Sequence, residues 1–170
     1  VCFNSNQLIG NGMVLPSGPL RENLSILKNI EIVIINGKKN INFENKILNI
    51  NKKLEIFYSF YKPTNLDQFK NKKLLALAAI GNPENFFQLV EKNNLKIFKK
   101  KIFPDHYQFS KAEMQNILRE AEMENYQVIM TEKDYYKINH YKLKKINYLR
   151  VSLEIYNKEK LFKKINSLYV

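Results

Sequence analysis

The chain has 170 residues, 45% of them apolar, enough for one compact domain or for a small domain joined to part of another, and too many for disorder to be expected. Its single cysteine, Cys2, excludes an internal disulfide and a multi-cysteine zinc site, and no apolar run reaches the 18 residues of a membrane span. The net charge of +12 calls for an anionic partner, or reflects the Lys, Asn and Ile bias of an AT-rich genome, with runs such as Lys99-Lys100-Lys101 and Lys144-Lys145 reading first as solvated surface.

In chain order, Val1-Cys2-Phe3 reads as the end of a buried strand with Cys2 as a small core hydrophobe. A chain that opens in mid-strand on Val rather than Met is expected to be a truncated piece, and with no secretory leader in view the expected compartment is a reducing cytoplasm. Gly10-Asn11-Gly12 signals a turn. Pro19 suits the first position of a helix, and Leu20, Leu24 and Leu27 recur at helical spacing behind it. The β-branched run Ile30–Ile35 predicts a buried strand that stops at Asn36-Gly37.

Residues 38–73 are rich in Lys and Asn. Leu54–Tyr61 is their clearest strand, ended by Pro63, and the segment reads as an antiparallel hairpin or a linker between two lobes. From residue 74 onward the pattern becomes regular. Strands are predicted at Leu74–Ile80, Lys96–Phe103, Gln127–Met130 and Asn147–Ile155. Asn82 with Pro83 opens one helix, the capping box Ser110-Lys111-Ala112-Glu113 opens another, and Lys158–Leu168 closes the chain as a third. Alternating strands and helices imply parallel pairing, with ligands expected beyond the carboxyl ends of the strands, where Gly81, Pro104 and Thr131 fall.

The chain contains no G-x-x-x-x-G-K-[ST] phosphate loop, no G-x-G-x-x-G, G-x-S-x-G or H-E-x-x-H, and its two histidines, His106 and His140, are far apart. Its most distinctive stretch runs from Gly10 to Glu22, a Gly- and Pro-punctuated loop that delivers Arg21 and Glu22 to a helix start. Free N–H groups and the helix dipole favour phosphate there; Arg21 adds a bidentate donor, and Glu22 has the chemistry to hold magnesium. An ordinary capped helix with Glu22 at its favourable end is the other reading.

This stretch is similar to the G-N-G-x-x-L-P-x-G-P-L-R-E signature of the lipid A 4'-kinase (tetraacyldisaccharide 4'-kinase) family. Ile80–Phe87, Phe103–Phe109 and Met130–Asp134 match further motifs of that family in the right order, so the resemblance covers roughly residues 1–138. It implies an α/β fold in which part of a P-loop kinase core (1–37) is joined by a β-hairpin linker (38–73) to a small Rossmann-like C-terminal lobe with a mostly parallel sheet (74–170).

The implied reaction moves the γ-phosphate of ATP, with magnesium, to the 4'-hydroxyl of a tetraacylated glucosamine disaccharide. The implied partners are this lipid A precursor and the anionic surface of the bacterial inner membrane on its cytoplasmic face, with no nucleic acid. Carried over by position, Arg21 and Glu22 fall at the active-site edge, Glu22 as the candidate magnesium ligand, and His106 is placed to contact the nucleotide base. A loop histidine bonded to its neighbours remains the alternative for His106, and an N-cap pair remains the alternative for Thr131 and Asp134.

In this family the phosphate loop, a D-D-G-x-Q motif and an N-terminal membrane segment lie upstream of the matching stretch, so this chain alone is expected to be inactive without that amino-terminal lobe. An inactive nucleotide-binding-like remnant and a basic nucleic-acid-binding α/β module are the competing readings.

Overall fold

The computed structural model describes residues 1–168. It divides into two compact units, Val1–Lys62 together with the chain from Leu153 on, and Pro63–Ser152. Of the expected 74–170 lobe, the closing helix therefore belongs to the first unit, and the last two positions lie outside the described residues.

The first unit holds β1 (Cys2–Asn4), a 3-10 helix (Leu24–Asn29), β2 (Ile32–Asn36), α1 (Ile41–Ile50), β3 (Glu55–Pro63), most of β8 (Val151–Ile155) and α5 (Lys158–Asn166). Its sheet has the order β1-β2-β3-β8, with β1, β2 and β3 parallel. The expected hairpin at 38–73 is not formed. Asn40 caps α1 by accepting from the Phe43 N–H, and α1 is the crossover that lets β3 pair parallel with β2, as parallel neighbours require. The antiparallel partner of β3 is instead the distant β8: Thr64 N–H donates to Arg150 O and Tyr156 N–H donates to Tyr58 O, so residue numbers fall along one strand as they rise along the other. Val33 and Ile35 of β2, Leu27, Phe43, Ile47 and Leu54 form the core.

Helix α5 joins this unit through charge as well as burial. Leu161 is buried, Lys160 pairs with Glu55 at 2.9 Å, and Lys164 pairs with Glu31. Cys2 is exposed, contrary to the expectation of a core position, because β1 is an edge strand.

The second unit is a fully parallel sheet of order β5-β4-β6-β7, from β4 (Lys73–Ala78), β5 (Lys96–Ile102), β6 (Gln127–Thr131) and β7 (Ile146–Leu149). Side chains alternate across a strand, and β4 uses both faces. Leu75 and Leu77 pack with Met114, Ile117 and Ala121 of α3 (Lys111–Met123), while Leu74, Ala76 and Ala78 pack with Phe86, Phe87 and Val90 of α2 (Pro83–Lys92). A short α4 (Glu132–Ile138) follows β6 directly. The single strand predicted over 147–155 is two, broken at Arg150, where the Asn65 side chain accepts from the Arg150 N–H at 2.8 Å and donates to Tyr148 O at 2.9 Å. No helix among the described residues is long and apolar enough to cross a membrane.

Candidate functional site

In the first unit the chain leaves β1 into a loop whose shape is fixed by its own side chains. Asn11 Nδ2 donates to Ser17 O at 2.8 Å while Asn11 Oδ1 accepts from Met13 N–H at 3.1 Å, closing the loop across its width. Gly18 lies so near that a Cβ there would overlap both Asn11 Oδ1 and Met13 O. Gly10 sits at φ +54°, and a Cβ on it would come 2.6 Å from Pro19 Cγ. Gly10, Asn11 and Gly18 of the signature are thus explained by close approach within the loop, and Gly12 by its backbone at φ +79°.

Leu20 then pairs with the backbone of the loop, receiving Leu15 N–H on its carbonyl at 2.8 Å and donating to Met13 O at 3.2 Å. This pairing ties Leu20 to the loop backbone and leaves Pro19 in a bend, so the predicted helix from Pro19 does not form. The helix that does form is the 3-10 segment from Leu24, capped by Asn23, whose side chain accepts from Ser25 N–H. Arg21 and Glu22 precede that cap rather than lying in a first helical turn, so the expected cradle of helical N–H groups does not form at them.

Both residues line a cavity of about 350 Å³. Asn4, Gln7 and Asn23 supply its other polar lining, and Phe3, Leu8, Leu20, Leu24 and Leu27 much of its apolar wall. Arg21 and Glu22 are exposed to solvent. Sequence reasoning passed over Asn4, Gln7 and Asn23; the signal available was an Asn directly after Val1-Cys2-Phe3 and an Asn directly after Arg21-Glu22.

A second polar group of this unit lies at the start of α1. Tyr58 Oη donates to Glu44 Oε1 at 2.7 Å and accepts from Asn40 N–H at 3.3 Å. Burial first, and then the Glu44 carboxylate, push the phenol up to about 12.

In the second unit, three of the four matched stretches converge on one edge, the carboxyl ends of β4, β5 and β6. The Asp105 carboxylate is their meeting point. Its Oδ1 accepts from His106 N–H at 2.9 Å and lies 3.8 Å from Lys133 Nζ, and its Oδ2 would sit 3.2 Å from a Cβ on Gly81. His106 is exposed and held at φ +61°, with Nε2 3.9 Å from Asp105 Oδ2. The ring therefore faces solvent beside one carboxylate and one lysine.

Asp134 has a different character. It is fully buried, and its carboxylate accepts from Ala79 N–H at 2.9 Å, Thr131 Oγ1 at 2.8 Å and Lys137 Nζ at 2.8 Å. Thr131 Oγ1 in turn accepts from Asp134 N–H. The pair caps α4 and ties it to the end of β4, which is an architectural role.

The lysine run of β5 is partnered by its own fold. Lys99 and Lys101 each reach Glu120 at 2.6 Å, and Lys100 reaches Glu91 at 2.9 Å. Lys101 first, then Lys99, hold the Glu120 carboxyl below its usual range. Lys145 pairs with Glu122 at 2.8 Å. Each of these lysines is thus partnered by a carboxylate of its own unit.

A family model described as LpxK, tetraacyldisaccharide-1-P 4'-kinase, matches residues 1–169. The chain belongs to the tetraacyldisaccharide 4'-kinase family. Relatives of that name from Pelagibacter ubique, Rickettsia typhi and Haemophilus influenzae are 39%, 35% and 32% identical and cover 99%, 96% and 94% of this chain. The matches take in 54%, 51% and 46% of those proteins, so the chain spans about half the length of the curated relatives it matches. A crystal structure of LpxK from Aquifex aeolicus in complex with ATP superposes with a TM-score of 0.62 at 18% identity, covering 99% of this chain and 51% of that one. That likeness establishes the α/β fold with mostly parallel sheets for the family member described here.

Proposed function

We propose that this chain is the carboxyl-terminal part of an ATP-dependent kinase that phosphorylates the 4'-hydroxyl of a tetraacylated glucosamine disaccharide 1-phosphate at the cytoplasmic face of the inner membrane. The observation that carries the proposal is the family match over residues 1–169, with the signature residues Arg21 and Glu22 lining one cavity. In the reaction the 4'-hydroxyl oxygen attacks the γ-phosphorus and gives up its proton to solvent, the bond to the β-phosphate oxygen breaks, and ADP departs. Such transfer depends mainly on positioning and charge. Arg21, an exposed guanidinium at the cavity, has the donors to grip a phosphate bidentately.

Glu22 is the carboxylate of the cavity lining, and no cluster of three or more His, Cys, Asp or Glu occurs among the described residues. One carboxylate fits magnesium, which is commonly held by one or two carboxylates with water and the nucleotide's own phosphates. When bound, the ion neutralises phosphate charge. His106, exposed at the sheet edge of the second unit, is assigned to the nucleotide base. ATP use is supported by the nucleotide in the Aquifex aeolicus relative.

The test is a fusion of this chain behind the amino-terminal half of the Pelagibacter ubique relative, assayed with γ-labelled ATP and tetraacyldisaccharide 1-phosphate. Label at the 4'-position from the fusion, and none from the 170-residue chain alone, is expected. A folded fusion without transfer, under conditions where the intact relative is active, would sink the proposal.

A further inference from the structure

Three of the matched stretches lie in the second unit, and the nucleotide contact assigned to His106 uses one residue of them. Residues of the other two gather on its neighbour, Asp105. Pro104–Tyr107 is a tight turn, closed by Tyr107 N–H donating to Pro104 O at 3.1 Å. Its flanks are pinned by the rings of Phe103, Tyr107 and Phe109, which meet pairwise at 5.0, 4.9 and 5.2 Å, and by Tyr107 Oη, which donates to Glu113 Oε1 at 3.1 Å. Asp105 and His106 form the tip. His106 takes the third position of the turn at φ +61°, the left-handed region where glycine or asparagine is the ordinary occupant. A bulkier residue stays in that region only where its surroundings hold it there. Asp105 supplies the hold. Its Oδ1 accepts from His106 N–H at 2.9 Å, and its Oδ2 stands 3.9 Å from His106 Nε2, so one carboxylate addresses both the backbone and the ring. That carboxylate is seated in turn by the other two stretches. Lys133 Nζ lies 3.8 Å from Oδ1, and Gly81 leaves the room that Oδ2 occupies, since a Cβ there would come within 3.2 Å of it.

We propose that Asp105 is a positioning residue, which fixes the backbone and ring of His106 for contact with the nucleotide base while Gly81 and Lys133 seat its carboxylate; the inference rests on the proposed nucleotide contact of His106. Asp105 acts through the ring and not on the nucleotide itself, so its removal matters only while the ring is present.

The test uses the fusion described above, with ATP affinity read two ways: as KM in the 4'-transfer assay, and as displacement of trinitrophenyl-ATP, which needs no turnover. Asp105→Ala is expected to raise the KM for ATP and weaken displacement about fivefold, as His106→Ala does, with kcat unchanged. Asp105→Asn keeps a side-chain oxygen for the His106 N–H and should restore most of the affinity. The deciding variant is Asp105→Ala/His106→Ala. It should bind ATP no worse than His106→Ala alone, because a residue that works through the ring has nothing to work on once the ring is gone. A second loss of the same size in the double variant overturns the inference and makes Asp105 a direct ligand of the nucleotide. A loss that follows a lowered urea midpoint and is not rescued by Asp105→Asn also overturns it and leaves Asp105 a structural role. If His106→Ala changes nothing, or the fusion binds no ATP, the nucleotide contact fails and takes this inference with it. If His106→Ala weakens binding and Asp105→Ala does not, the contact stands and the positioning alone falls.

Discussion

The two units hold their candidate groups in opposite ways. In the first, Arg21 and Glu22 are placed by a loop that is rigid through backbone fit: glycines with no room for a Cβ, one asparagine closing the turn, and a strand-like pairing at Leu20. In the second, the edge that bears Asp105, His106 and Lys133 rests on a buried carboxylate, Asp134, that ties α4 to the end of β4. Loop fit tolerates no added volume but involves no buried charge. A buried carboxylate tolerates no loss of partner, since an unpaired group in the interior is costly.

The sharpest test of that contrast is Asp134→Ala. It strips partners from Ala79 N–H, Thr131 and Lys137 and is expected to destabilise the second unit by about 3–5 kcal/mol, read by urea unfolding. A loss under 1 kcal/mol would show that the carboxylate is no keystone. Arg21→Ala acts on chemistry without touching the core. In the active fusion it should lower kcat/KM about 100-fold with the unfolding midpoint unchanged, and a change confined to the midpoint would return Arg21 to the surface.

A third test uses pH. The Tyr58 phenol has its folded pKa raised to about 12 from 10.0, so its neutral form is the one the fold favours. Its contribution is fully present below pH 10 and is lost as pH rises toward 12. Unfolding followed across that window should fall more steeply for the native chain than for Tyr58→Phe, and parallel curves would contradict the assignment. The smallest effect is expected from His106→Gly. Glycine relieves a left-handed backbone at a stability gain below about 1 kcal/mol, while loss of the ring should raise the KM for ATP a few-fold in the fusion. An unchanged KM would leave His106 as a loop residue.

The second unit was the more legible in the sequence, and the reason is local. Its central strands β4 and β6 are near-continuous apolar runs, as strands covered on both faces demand, and Asn82 and Ser110 announce their helices by side-chain caps that form as expected. In the first unit local signals mislead. The spacing of Leu20, Leu24 and Leu27 is helical, yet Leu20 is captured by Met13 and Leu15, residues that are neighbours only once the loop has closed. Helix α1 was missed because Lys and Asn fill its exposed positions and leave Phe43 and Ile47 as its only buried side chains. The pairing of β3 with β8 has no local signal at all. Of the candidate residues, Arg21 and Glu22, singled out by their motif, line the cavity, whereas Asn4 and Gln7 enter it only because β1 lies along its wall.

The division of the chain also bears on how it is made. The second unit is one unbroken stretch, Pro63–Ser152, whereas the first is finished only by the segment from Leu153 on. As the polypeptide emerges from the ribosome, the later stretch has everything it needs to fold while the earlier one still waits for Leu161 and for the lysines that meet Glu31 and Glu55. Within this stretch of chain, the unit that is begun first is thus the later of the two to be closed.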